Sequence, residues 1–173
     1  MRSAVLSLLL SLVLVPALAG AAEFSVSSPA FAADAAIPPA FTCAGRDANP
    51  TLLFRSPPAG AKSLVLIMDD PDAPGGTWVH WVAYDIPATS SGLPENLPRT
   101  PKLAGLATQG VNSWGRPGYG GPCPPSGTHR YYFRLYALNV LLGLAPGASR
   151  AQVEQAMSGH VLGRAELMGT FGR

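Results

Sequence analysis

GYGGPCPPSGTHRYYFRLYAL, Gly118 to Leu138, is the stretch whose reading decides the fold. Its glycines and prolines exclude a helix or a central strand up to about Gly127. Its second half alternates: Tyr131, Phe133 and Leu135 share one face, and Tyr132, Arg134 and Tyr136 share the other. Arg134 marks the wetter face, so Tyr131 points inward. A long irregular loop therefore delivers its last residues onto the mouth of a buried strand.

The same punctuation runs along the whole chain of 173 residues, which carries 19 glycines and 18 prolines. They separate short apolar runs, the pattern of a β-rich domain. Strands are expected at Phe24–Val26, Thr51–Phe54, Ser63–Met68, Thr77–Ile86 and Arg130–Val140. No period of roughly 20–50 residues repeats, which excludes a solenoid or propeller. In Thr77–Ile86, alternation puts Trp78, His80, Val82, Tyr84 and Ile86 on one side and Val79, Trp81 and Ala83 on the other. A run apolar on both faces belongs at a sheet's centre.

A helix is expected after Ser149, where Ser149 and Gln152 form a capping box. Val153, Met157, Val161 and Met168 follow at helical spacing, interrupted by Gly163, and predict one face packed on a sheet. His160 lies beside that stripe and reads as a structural histidine. The stretch between Ile86 and Arg130 has little periodicity, and connections that long are often functional.

The N-terminus, MRSAVLSLLLSLVLVPALAGAAEF, has a short positive start, an apolar run broken at Pro16, and A-x-A cleavage sites. We read residues 1–21 as a cleaved secretory signal peptide, 22–173 as one domain, and the location as periplasmic or secreted. The apolar run is short for a membrane span of roughly 20 residues, and Ala21 stands where a lipoprotein would have cysteine. An integral membrane protein is not expected.

The chain has 12 basic and 10 acidic residues, and cleavage removes Arg2. Such near-neutrality, with only Lys62 and Lys102 as lysines, excludes the dense basic patch of a nucleic-acid binder. The two cysteines, Cys43 and Cys123, in an exported chain predict a disulfide, with two separate buried thiols as the alternative.

The other unusual stretch is Met68–Gly76, MDDPDAPGG. Asp69, Asp70 and Asp72 stand directly after an apolar strand, and His80 follows on the next. Solvated turn formers would account for a lone Asp-Pro, and the Asp70–Pro71 step is a candidate cis bond. An EF-hand loop from Asp70 fails at Pro74 and Trp81. Walker A and G-x-S-x-G motifs are absent. Ser126 near His129 is a weak nucleophile–base pair, and a metal site from Asp70, His80 and His129 is chemically allowed. No cofactor is expected.

DDPDAPGGTWVHWVAYDIP and GYGGPCPPSGTHRYYFRLYAL closely resemble the two signature regions of the phosphatidylethanolamine-binding protein family, in its bacterial Raf-kinase-inhibitor-like branch. FTCAG at Phe41–Gly45 and the C-terminal HVLGRAELMGTFGR resemble that branch too. The likeness spans about Phe24 to Arg173. It implies a mainly β fold (β-rich α+β), in which a central antiparallel sheet is flanked by a smaller sheet and a C-terminal helix. It also implies a small-anion pocket at one end of the sheet. Carried over, the ligand-binding residues resemble Asp70, His80, Gly121, Pro122, Pro124, Pro125, His129 and Tyr131. Asn49–Phe54 departs from the family's SPPLSW-like stretch.

The function so implied is non-catalytic binding of a small anion or phosphoethanolamine-like headgroup. Inhibition of a protease or kinase through the loops, and hydrolysis in an Asp/His pocket, are the alternatives. The ligand, any protein target and the oligomeric state are left open by the sequence. A carboxylate beside an anion site is repulsive. Asp70 must therefore bond a histidine, be protonated, or face a ligand ammonium.

Overall fold

A computed structural model describes residues 22–173; the expected signal peptide lies outside them. The chain runs through β1 (Ser25–Ser27), β2 (Leu52–Arg55), β3 (Ser63–Asp70), β4 (Trp78–Pro87), β5 (Gly92–Leu93), β6 (Lys102–Leu103), β7 (Ala107–Gln109), β8 (Thr128–Leu138), α1 (Arg150–Met157) and β9 (Val161–Gly172). The strands form a three-stranded sheet, β1-β2-β5, and a six-stranded sheet, β6-β7-β4-β3-β8-β9. Their pairings are antiparallel. The fold is mainly β, as expected.

β3 sits at the centre because it is apolar on both faces. Leu64, Leu66 and Met68 enter the core shared with Val26, Phe54 and Leu93 of the small sheet. Val65 and Ile67 enter a second core closed by Val153 and Met157 of α1. Each such side chain, fully buried, contributes about 1.5–3 kcal/mol. In β8, Tyr131, Phe133 and Leu135 face the first core, as the alternation predicts.

The faces of β4 depart from simple alternation. Its register against β3 runs Met68↔Trp81 and then Asp69↔Val79, so His80 is an extra residue. A second shift lies between Leu64↔Ile86 and Leu66↔Ala83, where Asp85 has φ 52°. Each bulge reverses the side on which the following residues fall. Val82 and Tyr84 therefore pack under α1, whereas Ile86 joins Trp81 and Ala83 in the other core. His80 is turned to Tyr131, with ring centroids 5.2 Å apart and edge-on.

The helix is shorter than its apolar spacing suggests. The capping box forms as predicted, with Ser149 Oγ accepting from Gln152 N and Gln152 Oε1 accepting from Ser149 N. After Met157 the chain turns through Gly159, at φ 78°. Val161 and Met168 then lie in β9, which pairs with β8 from Thr128↔Gly172 to Leu138↔Val161. That tertiary pairing outweighs the local helical pattern. His160 takes the structural role expected of it, its Nδ1 lying 2.9 Å from Asn139 Oδ1.

The long Ile86–Arg130 connection is not featureless, since it supplies β5, β6 and β7. β9 is the outer strand of the large sheet. Near its C-terminal end it is covered by Asp34–Ile37, which bonds Met168 and Thr170. Among the described residues, no strand pairs with its outer side between Val161 and Leu167. The Asp70–Pro71 bond is trans, there being no cis peptide among the described residues. Nor is any described helix long and apolar enough to cross a membrane.

Candidate functional site

At one end of the large sheet, the loop after β3 and the Gly/Pro loop before β8 enclose a pocket of about 680 Å³. Asp70 ends β3, and its Oδ1 accepts from the backbone N–H of Asp72 at 2.8 Å. This turn is clamped to β8. Asp72 takes three hydrogen bonds from Arg130, from its backbone N–H, Nε and Nη2. The Arg130 side chain holds the Asp72 carboxyl down at about 2.

The clamp sets Asp70 against His129, with Oδ2 2.7 Å from Nδ1 and both side chains buried. A carboxylate only accepts, so His129 Nδ1 carries the proton. His80 is oriented differently. Its Nδ1 lies 2.7 Å from the Gly120 carbonyl oxygen, which also only accepts. Burial pushes the His80 pKa below its ordinary value, opposed by the Gly120 bond and by Asp70, Asp69 and Asp47. Both histidines line the pocket, and neither Nε2 has a partner among the described residues.

Of the residues expected at the site, Asp70, His80, Gly121, Pro124, Pro125 and His129 line the pocket. Tyr131 and Pro122 do not. Tyr131 lies fully buried behind the two imidazoles, stacked with His129 at 6.5 Å. Its hydroxyl has no hydrogen-bond partner among the described residues, although the Cys123 backbone is near. Burial, with Asp70 and Asp72 close by, pushes its pKa up. Pro122 offers its carbonyl to the N–H of Cys43.

The Cys43–Cys123 disulfide is present and closes a sequence separation of 80 residues. It ties the FTCAG turn to the Gly/Pro wall at the pocket's edge. Two further bonds join the same segments: Tyr119 Oη donates to the Phe41 carbonyl, and Gly121 N–H donates to Asp47 Oδ1.

Sequence reasoning missed Asp47, Trp78, Trp114 and Arg116, all of which line the pocket. Trp114 stands edge-on to both His80 and Trp78, and the Arg116 guanidinium lies 5.7 Å from its ring centroid. Trp114 also explains Gly120, where a Cβ would come within 2.4 Å of the indole. The available signal was Trp78 two residues before His80; nothing in the spacing singles out the others. Ser126 is not on the pocket wall. Among the described residues, no three His, Cys, Asp or Glu side chains converge to hold a metal.

A two-sheet β fold with an end pocket floored by an aspartate–histidine pair defines the class. Residues 27–172 match the family model described as phosphatidylethanolamine-binding protein, and the chain belongs to that family. It is 53% identical over 137 residues to a UPF0098 protein of Methanothermobacter thermautotrophicus, spanning 79% of this chain and 91% of that one. A UPF0098 protein of Aquifex aeolicus is 49% identical over 158 residues, spanning 90% and 92%. Among solved structures, a phosphatidylethanolamine-binding protein homolog from Chlamydia trachomatis superposes with a TM-score of 0.80 at 41% identity. It covers 87% of this chain and 97% of its own. YbcL of E. coli, described as a new member of the mammalian family, gives a TM-score of 0.81 at 32% identity, covering 88% and 99%.

Proposed function

We propose that this chain is an exported, non-catalytic binding protein whose pocket takes a small anion or a phosphate-bearing headgroup. The observation that carries this reading is the buried Asp70–His129 pair at 2.7 Å, with His80 beside it on the pocket wall. His129 answers the repulsion that Asp70 alone would exert on an anion. Once protonated it neutralises the carboxylate and offers Nε2–H to the ligand. The pocket volume of about 680 Å³ lies in the range of small-molecule sites and leaves room for more than a bare phosphate. Export is supported by the N-terminal apolar segment and by the disulfide, which suits an oxidising compartment.

Titration calorimetry of the mature protein with phosphate between pH 5.5 and 8 tests this. An anion favours the charged imidazole, so binding raises a histidine pKa and takes up protons. Affinity is expected to rise as pH falls through the ordinary histidine range near about 6.5. Equal affinity across that range removes histidine protonation from the mechanism. Unchanged affinity in both His80→Ala and His129→Ala removes the pocket assignment. Turnover of a phosphoester by pure protein, lost in His80→Ala, would replace binding with hydrolysis.

A further inference from the structure

One peptide group separates Asp47 from His80. The N–H of Gly121 donates to Asp47 Oδ1 at 2.6 Å, and the carbonyl of Gly120 faces His80 Nδ1 at 2.7 Å. These are the two ends of the same peptide unit. It is flanked by glycines on both sides, the arrangement in which a peptide plane turns over most easily. Neither glycine is replaceable by a stiffer residue. A Cβ at 120 would meet Trp114 at 2.4 Å, and one at 121 would meet Asp47 Oδ1 and the Phe41 carbonyl at 2.7 Å.

Turned over, this peptide would set its carbonyl oxygen against the Asp47 carboxylate and its N–H against His80 Nδ1. His80 would then carry its proton on Nε2. The carboxylate forbids that orientation and selects the observed one. Asp47 is itself fixed, since Arg99 Nη2 donates to its Oδ2 and to its backbone oxygen, each at 2.5 Å. We propose that Asp47 is a positioning residue which, through the Gly120–Gly121 peptide, holds His80 as the Nδ1–H tautomer and so aims a lone pair at the pocket from Nε2.

This has a consequence for the ligand, resting on the anion-pocket reading above. Opposite His80 the ligand must present a donor. A singly protonated phosphomonoester has one; a phosphodiester of equal charge has none. The charged and titratable groups around His80 are Asp69 and Asp70 from β3, His129 and Tyr131 from β8, Asp47 on the pocket lining with Arg99 bound to it, and Arg116 over Trp114. Burial pushes the His80 pKa below its ordinary value, against the acids among them. The two histidines thus divide the work, with His129 taking up a proton and donating while His80 accepts.

The test begins without ligand. Nitrogen-15 imidazole spectra of the oxidised mature protein at neutral pH are expected to show His80 as the Nδ1–H form. Asp47→Asn is expected to move His80 toward the averaged pattern of exchanging tautomers, with the His129 pattern unchanged. An Nε2–H form of His80 in the wild type, or an unaltered His80 in Asp47→Asn, overturns the proposal. The second arm uses wild-type protein alone, so it survives a variant that does not fold. At about pH 5, below the second ionisation of a phosphomonoester near 6, methyl phosphate is expected to bind at least about tenfold more tightly than dimethyl phosphate. Equal affinities overturn the donor requirement. If neither compound binds, the anion-pocket reading and its ligand class fall, while the imidazole spectra still decide the role of Asp47.

Discussion

Asp69 and Asp70 are neighbours at the end of β3, and both are buried, at 1% and 3% exposure. Strand alternation sends them to opposite faces, where they meet different counter-charges. Asp69 lies under α1 and is held by Arg134 Nε at 3.3 Å and Arg150 Nη1 at 3.0 Å. Arg134 goes on to Glu166, and Arg150 to Glu154. Asp70 faces the pocket and is met by a single histidine. Arginine stays charged at any ordinary pH, whereas histidine does not. One face of the sheet is therefore neutralised by groups whose charge does not change with pH, and the other is paired through a group whose charge can change.

The largest expected effect is on the tie that holds the responsive face in shape. Replacing Cys43 and Cys123 together by serine should lower unfolding free energy by about 4 kcal/mol, from the closed loop of 80 residues. Phosphate affinity should fall with it. Urea unfolding beside calorimetry separates the two, and unchanged affinity would show that Tyr119 and Asp47 suffice to hold the wall.

The aspartates themselves come next. Asp69→Asn leaves two arginines without their buried partner and should cost about 2–4 kcal/mol of stability, with phosphate binding intact. Asp70→Asn should cost about 1–2 kcal/mol, and should flatten the pH dependence of phosphate binding because His129 loses its counter-charge. Equal stability losses with equal effects on binding would break the contrast between the faces.

The smallest effect sharpens it. Arg130→Gln should return the Asp72 carboxyl from about 2 toward its ordinary 3.8, as followed by carboxyl carbon shifts. A depressed carboxyl stabilises the fold above its unfolded pKa, and that contribution is lost as pH falls through the folded one. The stability difference between wild type and variant should thus fade from about pH 4 downward and vanish below about pH 2.

Much of this was legible in the residues, for identifiable reasons. The apolar runs of β3 and β8 and the Ser149–Gln152 cap are local signals that the tertiary structure reinforces. The disulfide followed from there being two cysteines in a chain read as exported. What failed needed long-range pairing. No local pattern announces that β4 carries an extra residue at His80, because a bulge exists only relative to the partner strand. Val161 and Met168 keep helical spacing from Val153, yet β8 offers them a ladder that the isolated segment lacks. Asp47 reaches the pocket through one carboxylate contact with a residue 74 positions away, a distance over which spacing carries no information. Tyr131 faced inward as read, but far enough inward to stand behind the histidines.

The unpaired stretch of β9 also bears on how copies of the chain meet one another. An outer strand with free backbone groups is a template for strands from other molecules, and natural sheets guard such edges with charge and distortion. Here Arg164 and Glu166 occupy the open stretch, and the register against β8 slips between Ala137 and Leu138 at its start. Gly163 lets Pro58 and Phe24 press against the strand. A second molecule adding itself there would have to strip water from both charges along a bent edge. This flank thereby discourages self-association into fibres.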